Sequence, residues 1–149
     1  MQNSKNIKKG KKEKFGSKFL KKLKLYRPIV GDSVIDELYD FADPIVEKHV
    51  IHVNSTLYGG GVAEILNSLV ILMNELGIDT GWRQIKGSPD FFATTKMMHN
   101  ALQGKDIKIS SHRKEIYVDN NELNSVFTHI GNHDAIIVHD PQPYNVEFT

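Results

Sequence analysis

Apolar residues fall along this chain in two alternating rhythms. Val50-Ile51-His52-Val53-Asn54 is a short β-branched run and predicts a buried strand. From Val62 to Leu76 apolar residues recur at 62, 65, 66, 69, 73 and 76, one face of a helix. Glu64, Asn67, Ser68, Asn74 and Glu75 lie largely off that face. Gly77 is placed to stop this helix, and Ile78 to close it with an apolar contact. Thr80–Ile85 predicts a second strand, so strand, helix and strand make a βαβ crossover. Ser88, Pro89 and Asp90 suit the cap, first position and first turn of a further helix, which runs to about Gln103 before Gly104. Phe91, Thr95, Met98 and Leu102 form one of its stripes.

Past a polar connection at 105–109, Ser110 or Ser111 starts a helical stretch through Tyr117. Asp119 and Glu122 have capping-box spacing for another helix, with Leu123, Val126, Phe127 and Ile130 on its core face and Gly131-Asn132 at its end. Asp134–His139 predicts a third strand, apolar enough to expect cover on both faces. Asp140-Pro141-Gln142-Pro143 reads as a rigid turn, and Tyr144–Thr149 as the start of a helix. Upstream, Pro28 and Gly31-Asp32 mark a break. Asp32 or Ser33 then caps a helix to about Phe41, with Val34, Ile35, Leu38 and Phe41 on one side. Pro44 interrupts, and a helical turn over 45–48 leads into the first strand. The pattern is α/β: a Rossmann-like parallel sheet flanked by helices.

The 149 residues suffice for one domain with a core. With no cysteine, disulfides, thiolate metal sites and a cysteine nucleophile are excluded. No apolar run approaches membrane-spanning length and no signal-peptide h-region is present, so a cytoplasmic location is expected. The net charge of +1 hides an asymmetry. Residues 1–24 hold ten lysines and one glutamate, a charge of +9; residues 25–149 carry −8. The division expected is a basic, disordered tail over 1–24 and a domain over 25–149. The acidic body argues against nucleic-acid binding there. Phe15, Phe19 and Leu23, spaced by four among lysines, would suit a helix on anionic lipid or RNA, or a stripe docking on its own domain; the second is favoured.

In an open α/β sheet ligands bind beyond the carboxyl ends of the strands. Here those ends are Ser55–Gly61, Lys86–Pro89 and His139–Pro143. Gly59, Gly60 and Gly61 let the backbone turn sharply at a helix N-terminus, where a phosphate or sugar oxygen could sit; a tight turn without ligand is equally compatible. The triplet is neither G-x-G-x-x-G nor a Walker A box, which disfavours a dinucleotide site or an NTPase. Lys96, His99, Asn100 and Gln103 form a second helical stripe whose donors and acceptors could line a polyol site, although a solvated face is the commoner fate. His139 and Asp140 leave the third strand, where they could grip hydroxyls or serve as a core histidine and a helix cap. His129, His133 and His139 are too irregularly spaced for a metal site, and no nucleophile triad declares itself.

Three blocks carry a resemblance over residues 25–149. His52-Val53-Asn54-Ser55-Thr56 with Gly59-Gly60-Gly61-Val62-Ala63-Glu64-Ile65-Leu66 is the first. Phe91-Phe92, Thr95-Lys96 and His99-Asn100-Ala101-Leu102-Gln103-Gly104 form the second, and Val138-His139-Asp140-Pro141-Gln142-Pro143 the third. Together they resemble the glycosyltransferring trehalose synthases, retaining enzymes of glycosyltransferase family 4, with trehalose phosphorylases as close relatives. The resemblance implies an N-terminal, acceptor-side domain of a GT-B fold, and transfer of glucose from a nucleoside-diphosphate glucose to glucose. By position it puts Gly59, Gly60 and Gly61 near the donor phosphate or acceptor, Lys96, His99, Asn100 and Gln103 on the acceptor side, and His139, Asp140 and Gln142 along the cleft. No tightly bound cofactor is implied, a divalent cation is not indicated, and the catalytic residues are not identified.

The family's donor domain, with its E-x7-E carboxylate pair, is not in this sequence. The expectation is therefore a fragment or one half of a split enzyme, silent alone and completed by a donor domain or partner chain. A non-enzymatic module binding a sugar or sugar phosphate is the alternative. A three-stranded sheet would leave an open apolar edge for a partner or for self-association into a homo-oligomer.

Overall fold

A computed structural model describes residues 21–128, 132–140 and 142–143, excluding the side chains of 21, 22, 127 and 128. The chain forms two compact units: one takes the chain up to Lys48 with Ser68–Thr80, the other His49–Asn67 with the chain from Gly81 on.

In the first unit, α1 (Lys21–Val30) and α2 (Asp32–Ala42) are followed by a 3-10 turn, Asp43–Ile45. Leu23, Ile35, Ala42 and Ile78 are its buried apolar residues. The backbone N–H of Leu23 donates to the Glu75 carboxylate at 2.7 Å, so Glu75, expected off the packed face, is buried and caps the start of α1. α1 includes residues 21–24, expected to be tail; residues 1–20, with Phe15 and Phe19, lie outside the described ones. Pro28 does not break the chain where expected. It sits in the last turn of α1, where its missing N–H removes one helical bond, and the helix ends at Gly31, φ +85°. Gly31 also caps α2 without a side-chain bond, while Asp32 lies in the first turn and pairs with Arg27. Of the expected α2 face only Ile35 is buried; Phe41 is mostly exposed.

Among the described residues the sheet has three strands in the order β2-β1-β3: β1 (His49–Asn54), β2 (Asp79–Gln84) and β3 (Ala135–Val138). β1 and β3 are parallel, with Val50 opposite Ala135 and Val53 opposite Val138. At the far ends of β1 and β2, Asp79 N–H meets Lys48 C=O and Ile85 N–H meets Asn54 C=O, a constant offset that makes this pair parallel too. The crossover helix is α3 (Gly61–Glu75), ended as expected at Gly77, φ +90°. Ile78 N–H bonds Met73 C=O and Gly77 N–H bonds Asn74 C=O, and Ile78 is buried, which completes a Schellman stop. The face buried in the first turns is Ala63 and Leu66, whereas Ile65, expected inside, is exposed.

The second unit's core is Ile51, Val53, Ile85 and Phe91, with Ile116, Tyr117 and Ile136 packed against it. α4 (Pro89–Leu102) starts as expected, Ser88 Oγ accepting from Phe91 N–H at 3.1 Å. α5 is one continuous helix, Ser111–Thr128, not two. No glycine or proline interrupts it, and Asp119 lies in mid-helix, so the capping-box spacing caps nothing. Its buried residues are Asn121 and Asn124; Leu123 and Val126, expected in the core, are 59% and 69% exposed. β3 is an edge strand with alternating exposure, Ile136 inward and Ile137 outward, so the expected cover on both faces is corrected to one. The expected helix over 144–149 and the stop at Gly131 lie outside the described residues.

Candidate functional site

The carboxyl ends of the three strands are tied to one another. His139 N–H donates to Val53 C=O at 2.9 Å, Ile85 N–H to Asn54 C=O at 2.9 Å, and Gln84 Nε2 to Ser55 C=O at 3.2 Å. Asn54 is buried on β1 and accepts from Trp82 Nε1 at 2.7 Å. The segments expected to converge begin at one edge of one unit, with 55–61 after β1, 86–89 after β2 and His139-Asp140 after β3.

The glycine loop is ordered by Thr56, whose Oγ1 donates to Tyr58 C=O at 2.6 Å and accepts from Tyr58 N–H at 3.2 Å. Gly59 and Gly60 have φ of +73° and +83°, which residues with a Cβ rarely adopt. All three glycines face open space, and α3 begins at Gly61 with its first amides beyond reach of a helical carbonyl. A small ligand can therefore approach this backbone closely.

The β2–α4 connection is held from α5. Asn124 Oδ1 accepts from Lys86 N–H at 2.7 Å, and Lys86 C=O accepts from Asn124 Nδ2 at 2.7 Å and Asn120 Nδ2 at 2.9 Å. Gly87 follows with no room for a Cβ beside the Phe91 ring.

β1 and the exit of β3 bring two histidines together. His52, 1% exposed, points Nδ1 at Nε2 of His139 across 2.9 Å, the rings 20° from parallel with centroids 5.2 Å apart. Burial, and then the neighbouring His139, lowers the His52 pKa. His52 Nε2 and Gln142 Oε1 are buried with no hydrogen-bond partner among the described residues. Asp140 follows His139 with φ +66°, a left-handed conformation that turns the chain out of the strand.

The sequence-predicted residues thus divide. Gly59, Gly60, Gly61, His139, Asp140 and Gln142 belong to the segments leaving the carboxyl edge. Lys96, His99 and Asn100 lie on α4 and Gln103 at its C-cap, which at 1.5 Å per residue is about 20 Å along the helix from Pro89. Lys96, His99 and Gln103 are exposed, with His99 Nε2 and Gln103 Nε2 paired at 3.0 Å. His52, Trp82 and Asn124 escaped the sequence reading as site residues. The signal for His52 was a lone imidazole in an apolar strand, which demands a buried partner. Among the described residues no group of three or more His, Asp or Glu is placed to hold a metal ion.

Strand–glycine loop–helix, a parallel crossover and polar groups at the carboxyl edge define a Rossmann-like α/β domain. Residues 52–148 match the family model of the trehalose synthase N-terminal domain, and the chain belongs to that family. It is 43% identical over 131 residues to the trehalose synthase of Thermococcus litoralis, covering 87% of this chain and 32% of that protein. The Pyrococcus horikoshii trehalose synthase is 43% identical over 124 residues, covering 83% and 30%. A trehalose phosphorylase of Pleurotus pulmonarius is 34% identical over 100 residues, covering 64% and 14%. The chain thus spans about a third of the length of the trehalose synthases it matches. Among the described residues no helix is long and apolar enough to cross a membrane.

Proposed function

We propose that this chain is the acceptor-side part of a retaining glycosyltransferase that moves glucose from a nucleoside-diphosphate glucose to free glucose, forming trehalose. The observation that carries the reading is the glycine loop and the His139-Asp140 exit on one strand edge, within a segment matching the trehalose synthase N-terminal domain. Gly59–Gly61 would offer backbone amides to a phosphate or sugar oxygen, and His139, Asp140 and Gln142 would bind hydroxyls of the sugar. The residues of α4 carry no part of this reading.

Transfer with retention needs a held leaving diphosphate and a stabilised oxocarbenium-like centre. Those groups belong to the donor domain, supplied by further sequence or by a partner chain, so the chain by itself is silent. The cytoplasm is the compartment that goes with this reading. A sugar-binding module without catalysis is the second reading; it shares the same edge but needs no donor domain.

The test is a chimera in which residues 25–149 replace the matching segment of the Pyrococcus horikoshii enzyme. Trehalose formed from nucleoside-diphosphate glucose and glucose is expected. A folded chimera that binds glucose but turns nothing over favours the binding module, and one that does neither overturns both readings.

A further inference from the structure

His52 is too buried to meet a ligand directly, yet it is bound to a residue that can. Its Nδ1 lies 2.9 Å from His139 Nε2, while its Nε2 is buried without a partner among the described residues. A neutral imidazole carries one proton on one of its two nitrogens. Buried donors lacking acceptors are the rarer kind of unmet polar group, so the proton of His52 belongs on the nitrogen that has a partner. That nitrogen is Nδ1, and His139 Nε2 is then the acceptor. A neutral His139 must in turn hold its own proton on Nδ1.

We propose that His52 is a positioning residue that fixes the tautomer and ring plane of His139, leaving Nδ1–H of His139 as a hydrogen-bond donor for a sugar hydroxyl and Nε2 occupied. The geometry is set by the sheet. His52 lies opposite Ile137, and His139, two residues on, projects from the same face of the neighbouring parallel strand. The backbone bond from His139 N–H to Val53 C=O at 2.9 Å holds that register at the strand exit. The left-handed Asp140 then turns the chain away immediately after His139. His139 therefore does not act as a general base through Nε2. This inference rests on the sugar-site reading only for the identity of what His139 meets; the pairing itself is independent of it.

Long-range proton–nitrogen correlation spectra of the ¹⁵N-labelled chain, at about pH 8 and so above the ordinary histidine range near 6.5, read both tautomers directly. We expect His52 protonated at Nδ1 and His139 at Nδ1. His52→Asn keeps an amide near the lost Nδ1, and His139 should retain its single form; His52→Leu removes the partner, and His139 should become a mixture of both forms. A wild-type His52 protonated at Nε2 overturns the proposal, as does an unchanged His139 tautomer in folded His52→Leu. Should that variant fail to fold, the wild-type spectrum alone decides. Glucose added to the same sample separates the two claims: if His139 resonances stay still while the tautomers are as stated, the sugar reading fails and the pairing stands.

Discussion

At the scale of single residues, the site is built from groups that few other side chains can replace. Gly60 holds φ +83° over open space, so an added Cβ meets no neighbour and its cost is backbone strain alone. Gly60→Ala should destabilise by about 1–2 kcal/mol, measured by urea unfolding; an unchanged midpoint would show that the loop relaxes to negative φ. His52 makes a second prediction. Its pKa is lowered by burial and by His139, so the unfolded chain binds the proton more readily. The stability His52 contributes is complete above its unfolded pKa of about 6.5 and is lost as pH falls from there through the lowered native value. Wild type should therefore lose stability below about pH 6.5 more steeply than His52→Asn; parallel curves would contradict it. The glycines and His139 were legible because their types carry a mechanism. His52 was not, because its importance lies in a partner 87 positions away.

Elements divide the same way. The start of α4 was readable to the residue, since Ser88, Pro89 and Asp90 act locally, and so was the Schellman stop of α3. The second half of α5 was misread because its apolar and polar positions carry the opposite of their usual meaning, whereas Ile116 and Tyr117 in its first half pack on the core. Asn124 is inside since it clamps the backbone of Lys86, a contact no local rule reveals, and Asn121 is buried with its Nδ2 donating to Tyr117 C=O. Leu123 and Val126 are outside. Asn124→Ala should cost about 1–3 kcal/mol, because Lys86 N–H is left without its acceptor. Leu123→Ala should fall within about 0.5 kcal/mol of wild type, whereas a buried leucine would cost about 2–5 kcal/mol. Thermal or chemical unfolding of both variants distinguishes these outcomes, and a large loss at Leu123 would restore it to the core.

At the scale of the molecule, the parallel α/β plan could be read from the alternation of runs, because each strand and helix declares its own period. The one-sided cover of β3 could not, since four apolar residues in a row read alike at a sheet's centre and at its edge. Exposed Ile137, Leu123 and Val126 leave apolar surface of the kind that a further domain or another chain covers. We propose the carboxyl edge as the acceptor side of a trehalose-forming glycosyltransferase. Backbone amide spectra of the labelled chain titrated with glucose test it most directly. Saturable shifts confined to Gly59–Gly61 and His139–Asp140 are expected, with Lys96, His99, Asn100 and Gln103 unmoved. Shifts along α4 without any at that edge, or none anywhere at saturating sugar, would contradict it.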